Sequence, residues 1–342
     1  MHKNLQPTLL ITGGTGLVGS HLLHQLTQSG QRVRATYRTL QSIEKVRQNF
    51  GLWNAGASLF ERIEWVQADI TDIPQLELAF EGIRRVIHAA GLVSFSPDDF
   101  DRLIKTNVEG TATIVNLCIA HQIEKLCYIS SVAALSHTHN VAANEQSPWN
   151  ADQDNHDYAI SKHGGEMEVW RASQEGIPVV VVNPSVIIGS GYWDSGSGLM
   201  FQKVARGLRF CTTGSTGFVS ADDVAEACIK LLQSDVENER FVISAANLSY
   251  KTVLSSIAAQ LDKPAPKFKI SYGWLLFFAS AERLVSALGL KKRQLTRHTA
   301  YALSRKSEYD GSLITQTIEF QYTDIQKTIR KVCNDFMKNS LR

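Results

Sequence analysis

Short apolar runs alternate with longer amphipathic stretches through the first half of the chain. The runs Thr8–Thr12, Arg32–Tyr37, Ile63–Gln67, Val86–Ala89, Leu126–Ser130 and Val179–Asn183 are β-branched and nearly continuous in apolar character. That is how strands covered on both faces read. Helical patterns fill the intervals, most plainly over Leu103–His121 and Tyr158–Gln174. This alternation predicts an α/β fold, a doubly wound parallel sheet with right-handed crossovers. The pattern loosens after Pro184. Residues 190–198 (Ser-Gly-Tyr-Trp-Asp-Ser-Gly-Ser-Gly) read as a mobile loop, a natural lid or gate. Residues 221–233 read as another helix and Phe241–Ile243 as another strand, and from about residue 250 the chain is mainly helical. The expected division is a sheet-bearing domain from 1–183 plus about 217–245, and a smaller, mostly helical lobe from 184–216 plus about 246–342.

Composition narrows the picture only a little. The 342 residues suffice for a large core, and a net charge of +2 gives no reason to expect nucleic acid or a membrane as partner. Trp274–Leu290 is the most apolar late stretch, but Glu282 and Arg283 interrupt it, so it predicts a packed amphipathic helix rather than a bilayer span. Cys118, Cys127, Cys211, Cys228 and Cys333 are scattered and odd in number, which predicts buried thiols in a reducing compartment. Residues 1–8 are short and polar, unlike a secretion signal, so the expected location is cytoplasmic. No His/Asp/Glu spacing supports a metal site, and His137, His139 and His156 read as polar loop histidines.

Two clusters carry candidate chemistry. The first is Leu9-Leu10-Ile11-Thr12 running into Gly13-Gly14-Thr15-Gly16-Leu17-Val18-Gly19. An apolar strand meets a helix through glycines spaced three apart. Gly13 permits a tight turn, Gly16 a close approach of backbone to a pyrophosphate, and Gly19 close helix–strand packing, while the helix N-terminus offers N–H groups to phosphate. The second is Tyr158-Ala-Ile-Ser-Lys162, whose spacing stacks phenol and ammonium on one helix face. A fixed cation favours phenolate and brings a tyrosine pKa toward the working range. The pair follows a strand ending in Ile129-Ser130-Ser131, where a serine can donate to a carbonyl held beside the tyrosine. Either serine can equally cap local backbone.

Glycine turn, strand-end serine and Tyr-x-x-x-Lys, in this order, resemble the short-chain dehydrogenase/reductase superfamily. The length resembles its extended branch, the NAD-dependent epimerase/dehydratase family. Ala68-Asp69-Ile70, His88-Ala89-Ala90-Gly91, Thr106–Thr111, Asn183–Gly189 and Gly217–Ala225 are similar to further segments of that family, over about residues 8–245. The resemblance implies a Rossmann sheet. It also implies a catalytic set of Tyr158 as proton donor, Lys162 beside it, Ser131 orienting the substrate oxygen with Ser130 in reserve, and Asn107 supporting a proton-relay water or merely packing. It further implies a dinucleotide held by Thr12, Gly13, Thr15, Gly16, Leu17, Val18, Gly19, Asp69, Ile70, Ala89, Ala90, Gly91, Tyr158, Lys162, Pro184 and Ser185. A homodimer through the helices at Leu103–His121 and Tyr158–Gln174 is the family expectation.

The second strand reads Val33-Arg34-Ala35-Thr36-Tyr37-Arg38 and lacks the acid that binds an NAD ribose. Arg38 is placed to meet a 2′-phosphate, and Lys45 is a second cation for it; otherwise both are solvated surface charges. NADP(H) is therefore the expected cofactor, with NAD(H) as the alternative. The segments at 33–38, 88–90 and 183–185 look most like the dihydroflavonol 4-reductase and 3β-hydroxysteroid dehydrogenase group. Phe95, Trp149, Tyr192, Trp193 and Phe201 are candidate lining for an apolar carbonyl or alcohol substrate. The expected activity is reduction of a ketone or aldehyde. A nucleotide-sugar epimerase or dehydratase with bound NAD, and a non-catalytic dinucleotide sensor, are the other readings.

Overall fold

The computed structural model describes residues 8–53, 56–136, 141–287 and 296–340. Its strands are β1 (Leu9–Thr12), β2 (Val33–Tyr37), β3 (Ile63–Gln67), β4 (Arg85–His88), β5 (Lys125–Ile129), β6 (Val179–Pro184), β7 (Val186–Ile188), β8 (Phe210–Thr212), β9 (Ser215–Ser220), β10 (Glu239–Ile243), β11 (Ala246–Ser249) and β12 (Phe268–Ile270). Seven of them form the central sheet in the order β10-β6-β5-β4-β1-β2-β3. Every pairing in it is parallel. This is the doubly wound sheet that the alternating pattern predicts.

Continuous apolar character follows from burial on both sides of this sheet. Leu10, Val179 and Val181 face one core layer with Ile114 and Val169, whereas Ile11, Val180 and Val182 face the other with Leu22 and Val224. The chain winds from β1 outward to β3, then returns to lay β4 on the other side of β1. The winding direction reverses beyond the paired ends Thr12 and His88, and such a reversal opens a crevice in doubly wound folds.

β7, β9 and β11 form a second sheet, and β8 pairs with β12. β9 thus lies outside the central sheet, which the chain rejoins only through the Ala221–Gln233 helix and β10. A third core gathers Ile188, Trp193, Phe201, Phe218, Val253, Ile257 and Ile329. Two expectations change here. The single helix at Leu103–His121 is three pieces: α over Phe100–Leu103, π over Ile104–Glu109, and α over Gly110–Ala120. Loop 190–198 is pinned rather than free, because the Tyr192 hydroxyl donates to the Thr15 carbonyl at 2.7 Å and Ser190 donates to Asp335 at 2.8 Å. The late apolar stretch forms a helix over Tyr272–Ala287, and residues 288–290 lie outside the described ones. No helix among the described residues is long and apolar enough to cross a membrane.

Candidate active site

The glycine turn closes through the Gly16 N–H donating to the Gly13 carbonyl at 3.0 Å. Gly13 sits at φ +70°, and a Cβ there would lie 2.5 Å from the Ala90 nitrogen. A Cβ on Gly19 would lie 2.1 Å from the Gly13 oxygen, so both positions exclude a side chain. Gly16 differs. A Cβ there meets only the Gly13 oxygen at 3.4 Å, so its open side is free for a ligand, and no side chain caps the helix that begins at Leu17. Gly13, Thr15, Gly16, Leu17 and Val18 therefore frame an uncapped helix N-terminus at the crevice. This fits a pyrophosphate on free N–H groups and a positive dipole end.

Thr12 and Ala89-Ala90 form the facing wall. The Thr12 hydroxyl bonds His88 Nδ1 at 2.6 Å, and the Ala89 N–H donates to the Thr12 carbonyl at 3.1 Å. Burial, then the Lys162 charge, brings the His88 pKa down to about 3, so this ring is a neutral bridge from Thr12 to Thr111.

Beyond β2, Arg34 is buried and bound to Glu64 at 2.7 Å, whereas Arg38 is exposed and has no ion-pair partner among the described residues. Asp69 accepts from the Thr71 N–H and hydroxyl at 2.9 and 2.8 Å. Burial raises its pKa, but these bonds and the Arg38 charge outweigh it, so Asp69 stays ionised. Ile70 is buried beneath. Lys45 pairs with Asp194 at 3.0 Å and lies 4.9 Å from the Tyr192 ring centre. It serves to hold the 190–198 loop over the glycine turn.

The reacting groups converge at the ends of β5 and β6. Ser130 and Ser131 point to opposite sides, as consecutive residues of extended chain do. Ser130 donates to buried Glu166 at 2.7 Å, whereas the Ser131 hydroxyl accepts the Ala133 N–H at 3.1 Å and lies near enough to the Tyr158 phenol to influence its pKa. Burial raises the Tyr158 pKa, and the neighbouring Ser131 hydroxyl lowers it in part. The Phe95 ring lies edge-on to Tyr158 at 5.7 Å, and His156 is parallel to it at 6.1 Å. His156 caps the Asp157–Gln174 helix by accepting the Ala159 N–H, and burial brings its pKa down to about 4. His137 and His139 lie outside the described residues.

Lys162 departs from the simple picture of phenol and ammonium paired. Its ammonium donates to the Tyr128 hydroxyl at 2.9 Å and to the Ile129 carbonyl at 2.8 Å. Burial lowers its pKa to about 7, with Glu166 opposing that shift. It remains beside the crevice, 3.9 Å from where a Cβ on Gly91 would stand. Asn107 is wholly engaged: it accepts the Leu92 N–H at 2.7 Å and donates to the Leu92 carbonyl and Ser161 hydroxyl, each at 2.9 Å. It braces the π segment against the β4 loop, and these bonds join it to no reacting group among the described residues. Pro184 continues the β6–β10 pairing, and the Ser185 hydroxyl faces the Ile243 carbonyl. Trp193 and Phe201 belong to the third core, and Trp149 stacks on His163 at 4.3 Å, so of the candidate lining residues Phe95 is the one beside Tyr158.

Sequence reasoning missed Glu166. It lies four residues beyond Lys162 on the same helix face, a spacing that was legible. Buried Glu166 accepts from Ser130 and from Asn183 at 2.9 Å, and pairs with Arg240 at 3.0 Å. Asn183 in turn donates to the Ser131 carbonyl at 3.0 Å. Glu166 thus fixes the backbone that presents Ser131.

Comparison with known proteins agrees with this geometry. A family model described as the NAD dependent epimerase/dehydratase family matches residues 9–244. The chain is 30% identical over 263 residues to tetraketide alpha-pyrone reductase 2 of Arabidopsis thaliana, covering 72% of this chain and 80% of that protein. It is 27% identical over 284 residues to anthocyanidin reductase of the same plant, covering 76% and 81%. The solved structure of gox2253 superposes with a TM-score of 0.81 at 23% identity, covering 98% of this chain and 99% of that one, which shows the shared fold.

Proposed function

The chain belongs to the NAD dependent epimerase/dehydratase family and is an NAD(P)-dependent enzyme of oxidoreductase type; from that premise we propose that it uses NADPH to reduce a ketone or aldehyde to an alcohol. The supporting observation is the gathering of the Ser131 hydroxyl, the Tyr158 phenol and Phe95 at the ends of β5 and β6, with Lys162 one helix turn from Tyr158. When bound, the dinucleotide supplies hydride to the carbonyl carbon. Ser131 orients the carbonyl oxygen and Tyr158 delivers the proton to it, which satisfies the charge that develops there. Lys162, charged below about pH 7, favours the phenolate left behind. Gly16 and the following N–H groups would hold the pyrophosphate, Asp69 the adenosine and Lys162 the nicotinamide ribose.

Preference for NADPH rests on Arg38, an exposed guanidinium with no ion-pair partner among the described residues, which follows a second strand that carries no acid to bind a ribose hydroxyl. Two reductase-named relatives favour an apolar or aromatic carbonyl compound as substrate, and so does Phe95, exposed beside Tyr158. The test is oxidation of NADPH and NADH with aromatic aldehydes, dihydroflavonols, steroid ketones and nucleotide-sugar ketones. NADPH consumption with one carbonyl class is expected, and Arg38→Ala should weaken NADPH by about 10–100-fold, the worth of charged hydrogen bonds, while sparing NADH. Equal losses for both cofactors would overturn the 2′-phosphate assignment. Tightly bound NAD with no turnover of free NADPH would transfer the reading to an epimerase or dehydratase.

A further inference from the structure

One face of the C-terminal lobe shows water what a helix ordinarily hides. In the Tyr272–Ala287 helix, Leu275 and Ala279 are buried against the lobe, yet Trp274, Phe277 and Phe278 are 60%, 61% and 47% exposed. With exposed Ala281 they follow the i, i+3, i+4, i+7 spacing of a single helix face. The rings touch one another, with centroids 5.9 Å apart from Trp274 to Phe277 and from Phe277 to Phe278. The outward face is thus an aromatic ridge. Six residues upstream, at most about 20 Å of chain, Phe268 of β12 packs on Phe210 of β8, and both rings are more than half exposed. Exposed cations flank that pair along the chain: Arg206, Arg209, Lys263, Lys267 and Lys269. Across 206–212 and 262–271 the only acid is Asp262.

The buried side of this helix already has its partner, so an aromatic ridge left in water on the other side marks an interaction surface. The surrounding charge identifies the partner. Two copies of this chain meeting through the face would bring like charges together. An anionic bilayer complements it, since aromatic rings settle at the headgroup boundary while neighbouring lysines and arginines meet anionic headgroups. We propose that this face docks the protein on the surface of a bilayer carrying anionic lipid, with Trp274, Phe277 and Phe278 inserted and Arg209, Lys267 and Lys269 on the headgroups. The whole-chain charge of +2 argues against a membrane partner only because it averages away this local concentration. The proposal stands apart from the reductase reading.

Vesicle co-sedimentation of the full chain tests it, with phosphatidylcholine alone against phosphatidylcholine mixed with phosphatidylglycerol. Binding should be about 10-fold or more stronger on the anionic vesicles, as expected for several lysines and arginines at a charged surface, and should weaken with added salt. Trp274→Ser/Phe277→Ser/Phe278→Ser should abolish it. Lys267→Glu/Lys269→Glu, which leaves the rings in place, should abolish the anionic preference. No binding to either vesicle, or binding that both variants retain, overturns the proposal. So does a dimer in light scattering that the triple variant converts to monomer, because a second copy would then cover the face.

Discussion

At the scale of single residues, the site rests on a division of labour between neighbours of similar type. Ser130 and Ser131 are adjacent and chemically identical, yet one binds buried Glu166 and the other meets Tyr158. Extended backbone turns them to opposite sides. Lys162 has a consequence that can be measured. Burial brings its pKa from 10.5 to about 7, so it is charged below that value and neutral above it. If its charge supports proton delivery, kcat/KM for carbonyl reduction falls as pH rises above about 7, since this ratio reports the free enzyme. The Glu166 carboxylate opposes the shift, so Glu166→Gln moves the falling limb to lower pH. A limb that stays in place in Glu166→Gln would confine Glu166 to holding Ser131. A profile flat from pH 6 to 9 would remove Lys162 from the proton step.

At the scale of elements, what depends on local pattern was legible and what depends on distant partners was not. β1, the glycine turn and the helix from Leu17 are contiguous, and hydrophobic periodicity places them within a residue or two. The same holds for the Tyr158–Lys162 helix face. The break of the Leu103–His121 helix by a π segment was not readable, because it accompanies Asn107 bonding the Leu92 backbone and Ser161 on another helix. The pinning of the 190–198 loop is hidden from local pattern for a similar reason. Its glycines and serines suggest freedom, but Tyr192 and Trp193 are buried and Tyr192 reaches Thr15, 177 positions away in sequence. Lys45 pairs with Asp194 of that loop, a partner that lies 149 positions away and that local pattern does not show. The partners of Glu166 come from β5, β6 and β10, and only the sheet order brings them to one helix.

At the scale of the whole molecule, the sheet that builds the crevice also buries histidines in their neutral form. The pKa of His88 falls from 6.5 to about 3, and those of His24 and His156 fall to about 4, each chiefly through burial. Their folded-state values lie below the unfolded one, so the unfolded chain binds more protons between these limits. Stability is therefore fully present above about pH 6.5 and declines as pH falls toward 4. Thermal unfolding across that range should show a falling Tm, with a shallower slope in His24→Gln, and an unchanged Tm would contradict the neutral assignments.

The most direct measurement of the central claim is single-turnover NADPH oxidation with a reducible carbonyl, comparing the protein with Tyr158→Phe and titrating NADPH binding alongside. Loss of a positioned proton donor should slow turnover by about 10²–10⁴-fold, while NADPH affinity stays within a few-fold. Retained turnover in Tyr158→Phe would contradict the proton-donor role and, with it, the assignment of the Ser131–Tyr158 pair as the reacting centre.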